Sequence, residues 1–188
     1  MNPQDIIHQH YPPDARLTRI LTDHSRQVAD KALAIARRLL RQKPATSLDL
    51  EFIEQAALLH DIGIFKTRAD AIGCTGEAPY ICHGYLGREL LDAAGLPPAY
   101  GLVAERHTGA GITLDNIRAH NLPLPHRDMV PVTLEEKIIC CADKFFSKDP
   151  KKQDHTATLI TITAELHAID PGHAERFRAL AEELLLTD

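Results

Sequence analysis

No stretch of this 188-residue chain approaches the ~20 consecutive apolar residues that a membrane-spanning helix needs, because Arg, Glu or His interrupts every candidate run. No secretory leader is expected either: Met1 is followed by a polar segment containing Pro3, Asp5, His8 and His10, so a cytoplasmic location is expected. The four cysteines, Cys74, Cys82, Cys140 and Cys141, form no CxxC pair and show no zinc or disulfide spacing, and are read as reduced thiols. There is no excess of positive charge. Lys and Arg number 21 against 26 Asp and Glu, and the formal net charge of -5 argues against a double-stranded nucleic-acid partner, whose phosphates demand basic neutralisation. A small anionic substrate stays compatible if metal ions supply local positive charge. Internal repeats and low-complexity tracts are absent as well, and 44% hydrophobic with 25% charged residues describes an ordinary globular chain, expected as one domain over 1–188.

What is present is helical periodicity. Leu17, Ile20, Leu21, Val28, Ile35 and Leu39 recur at helical spacing and predict a helix over 16–41, with His24 on its apolar stripe. A second helix is expected from near Asp49, carrying Phe52, Ile53, Ala56 and Leu59 into His60-Asp61, with Gly63 read as the residue that stops it. A third is expected over 80–94, with His83, Leu86, Gly87, Leu90 and Ala94 on one face, ended by Gly95-Leu96-Pro97-Pro98. After those prolines, Ala99, Val103 and His107 stand four apart and mark a short fourth helix. Residues 108–132 lack periodicity and read as a long loop, a candidate lid. Thr133-Leu134-Glu135-Glu136 fits a capping box opening a helix that carries Ile138, Ile139, Ala142 and Asp143. Two amphipathic segments, 156–169 and 171–186, close the chain, although the Thr and Ile run over 159–163 also suits a short strand. The expected fold is all-α, about six to eight helices.

Four histidines and two aspartates thus fall at or near inward positions of five helices, where such groups are costly unless paired, hydrogen-bonded or bound to metal. Metal ligation satisfies them together. His60-Asp61-Ile62-Gly63, preceded by His24 on a helix and followed by Ala142-Asp143-Lys144, resembles the HD superfamily of metal-dependent phosphohydrolases over roughly 17–146, which implies an HD-domain core there with C-terminal helices over 155–186. His83 and His107 occupy the places of the two further histidines of two-metal members. The resemblance implies that His24, His60, Asp61 and Asp143 hold one ion, and that Asp61 bridges to a second held by His83 and His107.

Donor chemistry admits Fe, Mn, Zn, Ni, Co or Mg at such a mixed imidazole and carboxylate site. Adjacent helical residues point about 100° apart, so His60 and Asp61 can grip one ion only near a helix end or with Asp61 swinging to a bridge. What two such ions supply is a water nucleophile at neutral pH and a clamp on the oxygens of an in-line displacement at phosphorus. Asp61, Lys66 and Lys144 are the candidate catalytic residues. Lys66, Arg68, Arg106 and Thr108 are candidates for holding substrate, although many family members place Lys directly after the HDIG run, where this chain has Ile64. His8, His10, His120, His126, His155, His167 and His173 are assigned no chemistry.

The expected substrate is a small phosphorylated molecule, a nucleotide foremost. Short bacterial enzymes that split dinucleoside polyphosphates symmetrically share both extra histidines and a His-Thr step matching His107-Thr108. The same six ligands also resemble mixed-valence di-iron oxygenases related to myo-inositol oxygenase, and a regulatory binding module of the same fold is a third alternative.

Overall fold

In the computed structural model, which describes residues 2–149 and 156–186, the stripe expected over 16–41 forms the long helix α2 (Arg16–Gln42). Its buried face reads Ile20, Leu21, His24, Val28, Ala32, Ile35, Ala36 and Leu39, the three- and four-residue steps that a helix needs to bury one side. α3 (Leu50–Leu59) and α7 (Leu134–Asp143) pack against it. Ile53, Ala57, Leu58, Ile138, Ile139 and Ala142 join the α2 stripe in the larger apolar core, which Leu166, Phe177 and Leu180 of α8 (Leu159–Ile169) and α9 (Pro171–Glu183) complete. Each such side chain contributes roughly 1.5–3 kcal/mol on full burial. α4 (His83–Ala93) and α5 (Pro98–Arg106) form a hairpin beside α3.

Nine α-helices are present among the described residues, against the six to eight expected. The additions are α1 (Pro3–His8) and α6 (Leu114–Ala119), each of six residues and too short to display a period. α6 corrects the reading of 108–132 as an unstructured loop or free lid. Thr113 and Asn116 cap it reciprocally, and Ile112 and Met129 exchange backbone hydrogen bonds of 2.9 and 2.8 Å. Cys82, Ile112, Ile117, Leu124 and Met129 give the segment a small core of its own. It is tied to α5 through buried Glu105, which accepts from Arg127 Nε at 2.9 Å and from Arg88 Nη1 at 2.5 Å.

Two further expectations are corrected, and two segments left open by the sequence take a definite form. The third helix begins one turn later than 80, because Tyr80–Cys82 is a tight 3-10 turn leading into α4. The run over 159–163 is helical, capped by Thr158, whose hydroxyl accepts from the Thr161 N–H at 3.2 Å. At Thr133 only half of the capping box forms: its hydroxyl accepts from the Glu136 N–H, while the Glu136 carboxylate turns to the Val132 N–H at 2.7 Å. Between α3 and α4 lies a three-stranded sheet of strands two or three residues long, β1 (Thr67–Ala69) pairing β2 (Cys74–Thr75) antiparallel and β3 (Ala78–Pro79) parallel. Strands so short carry too little alternation to be read from sequence.

The turn that follows α3 is pinned from the N-terminal side. Buried Tyr11 donates from its hydroxyl to the Ile62 carbonyl at 2.7 Å and accepts from the Phe65 N–H at 3.3 Å. Burial pushes that phenol far above its usual range, so it stays protonated and able to donate. Tyr11→Phe leaves a buried carbonyl and a half-buried N–H without this partner, and a loss of about 1–3 kcal/mol is expected in chemical denaturation. An unchanged denaturation midpoint would show that the phenol contributes packing alone.

Candidate metal centre

α3 ends at Leu59, so His60 is its C-cap and Asp61 lies just past the helix, where both side chains turn to the same side. Tight turns carry the chain onward, with Ile62 N–H to Leu59 O at 3.0 Å and Ile64 N–H to Asp61 O at 3.0 Å. Gly63 is not the residue that stops α3, which ends at Leu59 with His60 as its cap, and its φ of -82° needs no glycine. Its role is close approach: a Cβ there would lie 2.2 Å from His83 O and 2.5 Å from Gly87 N. Glycine lets α4 dock on the turn, and His83 reaches Asp61 by that docking.

Three of the histidines are aimed by the same local device. His60 Nδ1 lies 2.6 Å from Ala57 O, His83 Nδ1 2.6 Å from Tyr80 O, and His107 Nδ1 2.8 Å from Ala104 O, each ring folding back on the carbonyl three residues earlier. With Nδ1–H donating there, Nε2 is the ring nitrogen turned to the centre. His24 arrives from α2, its Nε2 2.9 Å from Asp143 Oδ1.

Asp61 divides these groups in two. Its Oδ2 faces His24 Nε2 at 3.3 Å and His60 Nε2 at 3.0 Å, while its Oδ1 faces His83 Nε2 and His107 Nε2, each at 3.4 Å. Asp143 Oδ1 completes the first group, 3.3 Å from His60 Nε2. The result is two donor sets, His24, His60, Asp61 and Asp143, and Asp61, His83 and His107, all buried and sharing one carboxylate. His60 Nε2 and both Asp61 oxygens are sealed from solvent without a hydrogen bond of good geometry. Orphaned, convergent imidazole and carboxylate donors fit a cation pair, which satisfies all of them together.

The electrostatics agree. Against the opposition of burial, His60 and Lys148 hold the Asp61 carboxyl well below the usual range, and Lys144 and Lys148 do the same for Asp143. Burial and the neighbouring His107 push His83 down to about 3, and burial lowers His107, so both rings favour the neutral form. His60, although disfavoured as a cation by burial, is held up to about 9 by Asp61 and Asp143. Burial raises all four thiols, Cys74 to about 11 and Cys140 to about 12, which removes cysteine as a nucleophile here.

The basic candidates separate. Lys144 lies beside the site, Nζ 2.5 Å from Asp143 Oδ2, and Thr108 Oγ1 is 3.5 Å from His83 Nε2. Arg106 is committed elsewhere, its Nη1 donating to both Glu136 oxygens at 3.0 and 2.9 Å. Lys66 is half-buried at the end of the 3-10 turn Ile64–Lys66 and Arg68 is exposed on β1; neither lines the cavity beside Asp143. Sequence reasoning missed Lys148, whose Nζ stands 2.6 Å from Asp61 Oδ2 and 3.9 Å from Asp143 Oδ1. It also missed Tyr80, which lines the cavity beside Lys148 and whose ring stacks on His83 at 4.7 Å. Of the histidines left without a role, His173 is buried on α9, His120 Nε2 lies 3.2 Å from Asp170, and His155 is outside the described residues.

A helical bundle that converges four imidazoles and two carboxylates on one buried point has donor groups that could hold metal. The chain belongs to the HD domain family, whose model matches residues 21–147. It is similar to the uncharacterized protein MJ0778 of Methanocaldococcus jannaschii, 37% identical over 65% of this chain and 64% of that protein. It is likewise similar to a tRNA (cytidine(56)-2'-O)-methyltransferase of Picrophilus torridus, 37% identical over 58% of this chain and 28% of the relative. The chain therefore spans less than two thirds of the length of either. Among solved structures, the HD domain of the L. monocytogenes phosphodiesterase PgpH, in complex with cyclic-di-AMP, shares the fold at a TM-score of 0.52 and 15% identity, over 98% of this chain and 96% of that one. No helix among the described residues is long and apolar enough to cross a membrane.

Proposed function

We propose that this chain is a metal-dependent phosphohydrolase acting on a nucleotide or another small phosphate ester or anhydride. The observation that carries the reading is the division of Asp61 between two buried donor sets, with Lys144 against Asp143 and Lys148 against Asp61. His24, His60, Asp61 and Asp143 would hold one cation, and Asp61, His83 and His107 a second. Such a pair supplies Lewis acidity, making water a competent nucleophile at neutral pH and offsetting charge on phosphoryl oxygens.

The chain's own side chains do the remaining work. A cavity of about 400 Å³ opens beside Asp143, lined by Tyr80, Lys144, Phe146, Ser147 and Lys148 among others, a size that suits a small ligand. Lys144 offers its ammonium to a nonbridging phosphate oxygen and orients the phosphoryl group toward the carboxylates. Burial of all six ligands keeps bulk water away and strengthens each charge interaction. Two lysines beside the site support an anionic substrate over the neutral organic substrate of an oxygenase.

The test is a screen of chelator-stripped protein reloaded separately with Mn, Co, Ni, Zn, Fe or Mg. Substrates span mononucleotides, cyclic dinucleotides, dinucleoside polyphosphates and simple phosphate esters, the cyclic dinucleotides entering because the L. monocytogenes domain binds one. Metal-dependent phosphate or nucleotide release that chelation abolishes is expected. Oxygen uptake by the iron-loaded protein, with no turnover of any phosphate compound, would overturn the proposal.

A further inference from the structure

Lys148 lies five residues past Asp143, beyond the end of α7, yet its side chain is only 13% exposed. Its Nζ contacts Asp61 Oδ2, the oxygen that also faces His24 and His60, and lies 3.9 Å from Asp143 Oδ1. The ammonium thus stands inside the first donor set. A divalent cation using that set needs the same oxygen, and two positive charges compete for it. Lysine's flexible four-carbon stem lets the ammonium swing away without moving the backbone. The cavity it borders, shared with Tyr80 and Lys144, is where a phosphoryl group must lie to reach the carboxylates. Tyr80 lines that cavity beside Lys148 and stacks on His83, a member of the second donor set.

We propose that Lys148, which shares its cavity with Tyr80, is a two-position residue: it competes with a cation for the first donor set, and turns outward to grip phosphate oxygens when a cation holds that set. The proposal rests on the reading of the donor sets as a cation site. It assigns this chain an oxyanion-binding position next to Asp61 that the helical periodicity does not mark.

A residue of this kind has effects of opposite sign on two ligands, whereas damage to the fold weakens both. The experiment titrates Mn²⁺ into chelator-stripped protein by calorimetry, then inorganic phosphate into the Mn²⁺-loaded protein, for wild type, Lys148→Met and Lys148→Arg. Lys148→Met is expected to bind Mn²⁺ about tenfold tighter and phosphate about tenfold weaker. Lys148→Arg should restore phosphate binding. If wild type binds Mn²⁺ and Lys148→Met matches it in both titrations, or weakens both, the inference fails and the metal site stands. If wild type takes up no Mn²⁺, the cation reading falls and the inference with it.

Discussion

Asp61→Asn should lower metal-dependent turnover by about 10³-fold or more, equivalent to roughly 4 kcal/mol of lost transition-state stabilisation. The side chain keeps its volume, so the circular dichroism spectrum should be unchanged. What changes is that one oxygen becomes an NH₂ group, which cannot donate a lone pair to a cation. Because Oδ1 serves His83 and His107 while Oδ2 serves His24 and His60, either amide orientation disables one donor set and removes the shared negative charge from both. Elemental analysis should show bound metal reduced by at least half. Full metal content with turnover near wild type would mean that Asp61 does not join the two sets.

Gly63→Ala is expected to be among the most damaging single-methyl changes in the fold. The added Cβ would meet His83 O at 2.2 Å and Gly87 N at 2.5 Å, both backbone atoms that no rotamer change can relieve. Forcing α4 away from the turn should destabilise by about 3 kcal/mol or more, a fall in melting temperature of about 6–12 °C for a chain of this size. Because α4 begins at His83, the same displacement should weaken metal binding even in the fraction that stays folded. A melting temperature within a degree of wild type would show that α4 and the turn are not rigidly docked.

These two residues mark what the sequence makes legible. His24 stands on an α2 stripe and Asp143 one turn past Ile139, where an unpaired polar group has no structural excuse; residue chemistry and helical spacing together expose them. Asp61 beside His60 is legible because a helix end lets neighbouring residues face one point. Lys148 is not, since it lies past α7 in Phe146-Ser147-Lys148-Asp149, where nothing periodic shows that its ammonium turns inward. The only signal was its nearness in sequence to Asp143. Gly63 reads as a helix stop because sequence reports that glycine is present, not which backbone crosses it. Arg106 is the converse: it stands beside His107 in sequence, but buried Glu136, thirty residues on, takes its guanidinium. Glu105, Glu136 and Tyr11 act through partners distant in sequence, a kind of pairing that local periodicity does not carry.

The Tyr11 hydroxyl gives the domain a boundary that differs from the matched segment. Residues 21–147 contain all six donors, yet the turn bearing the doublet is fastened from outside that interval by Tyr11, and Phe177 and Leu180 of α9 fill part of the main core from the other side. The packed unit is therefore wider than the segment that carries the six donors. A fusion or excision made at the family limits would carry all six candidate donors and leave behind the phenol that holds two of them in register.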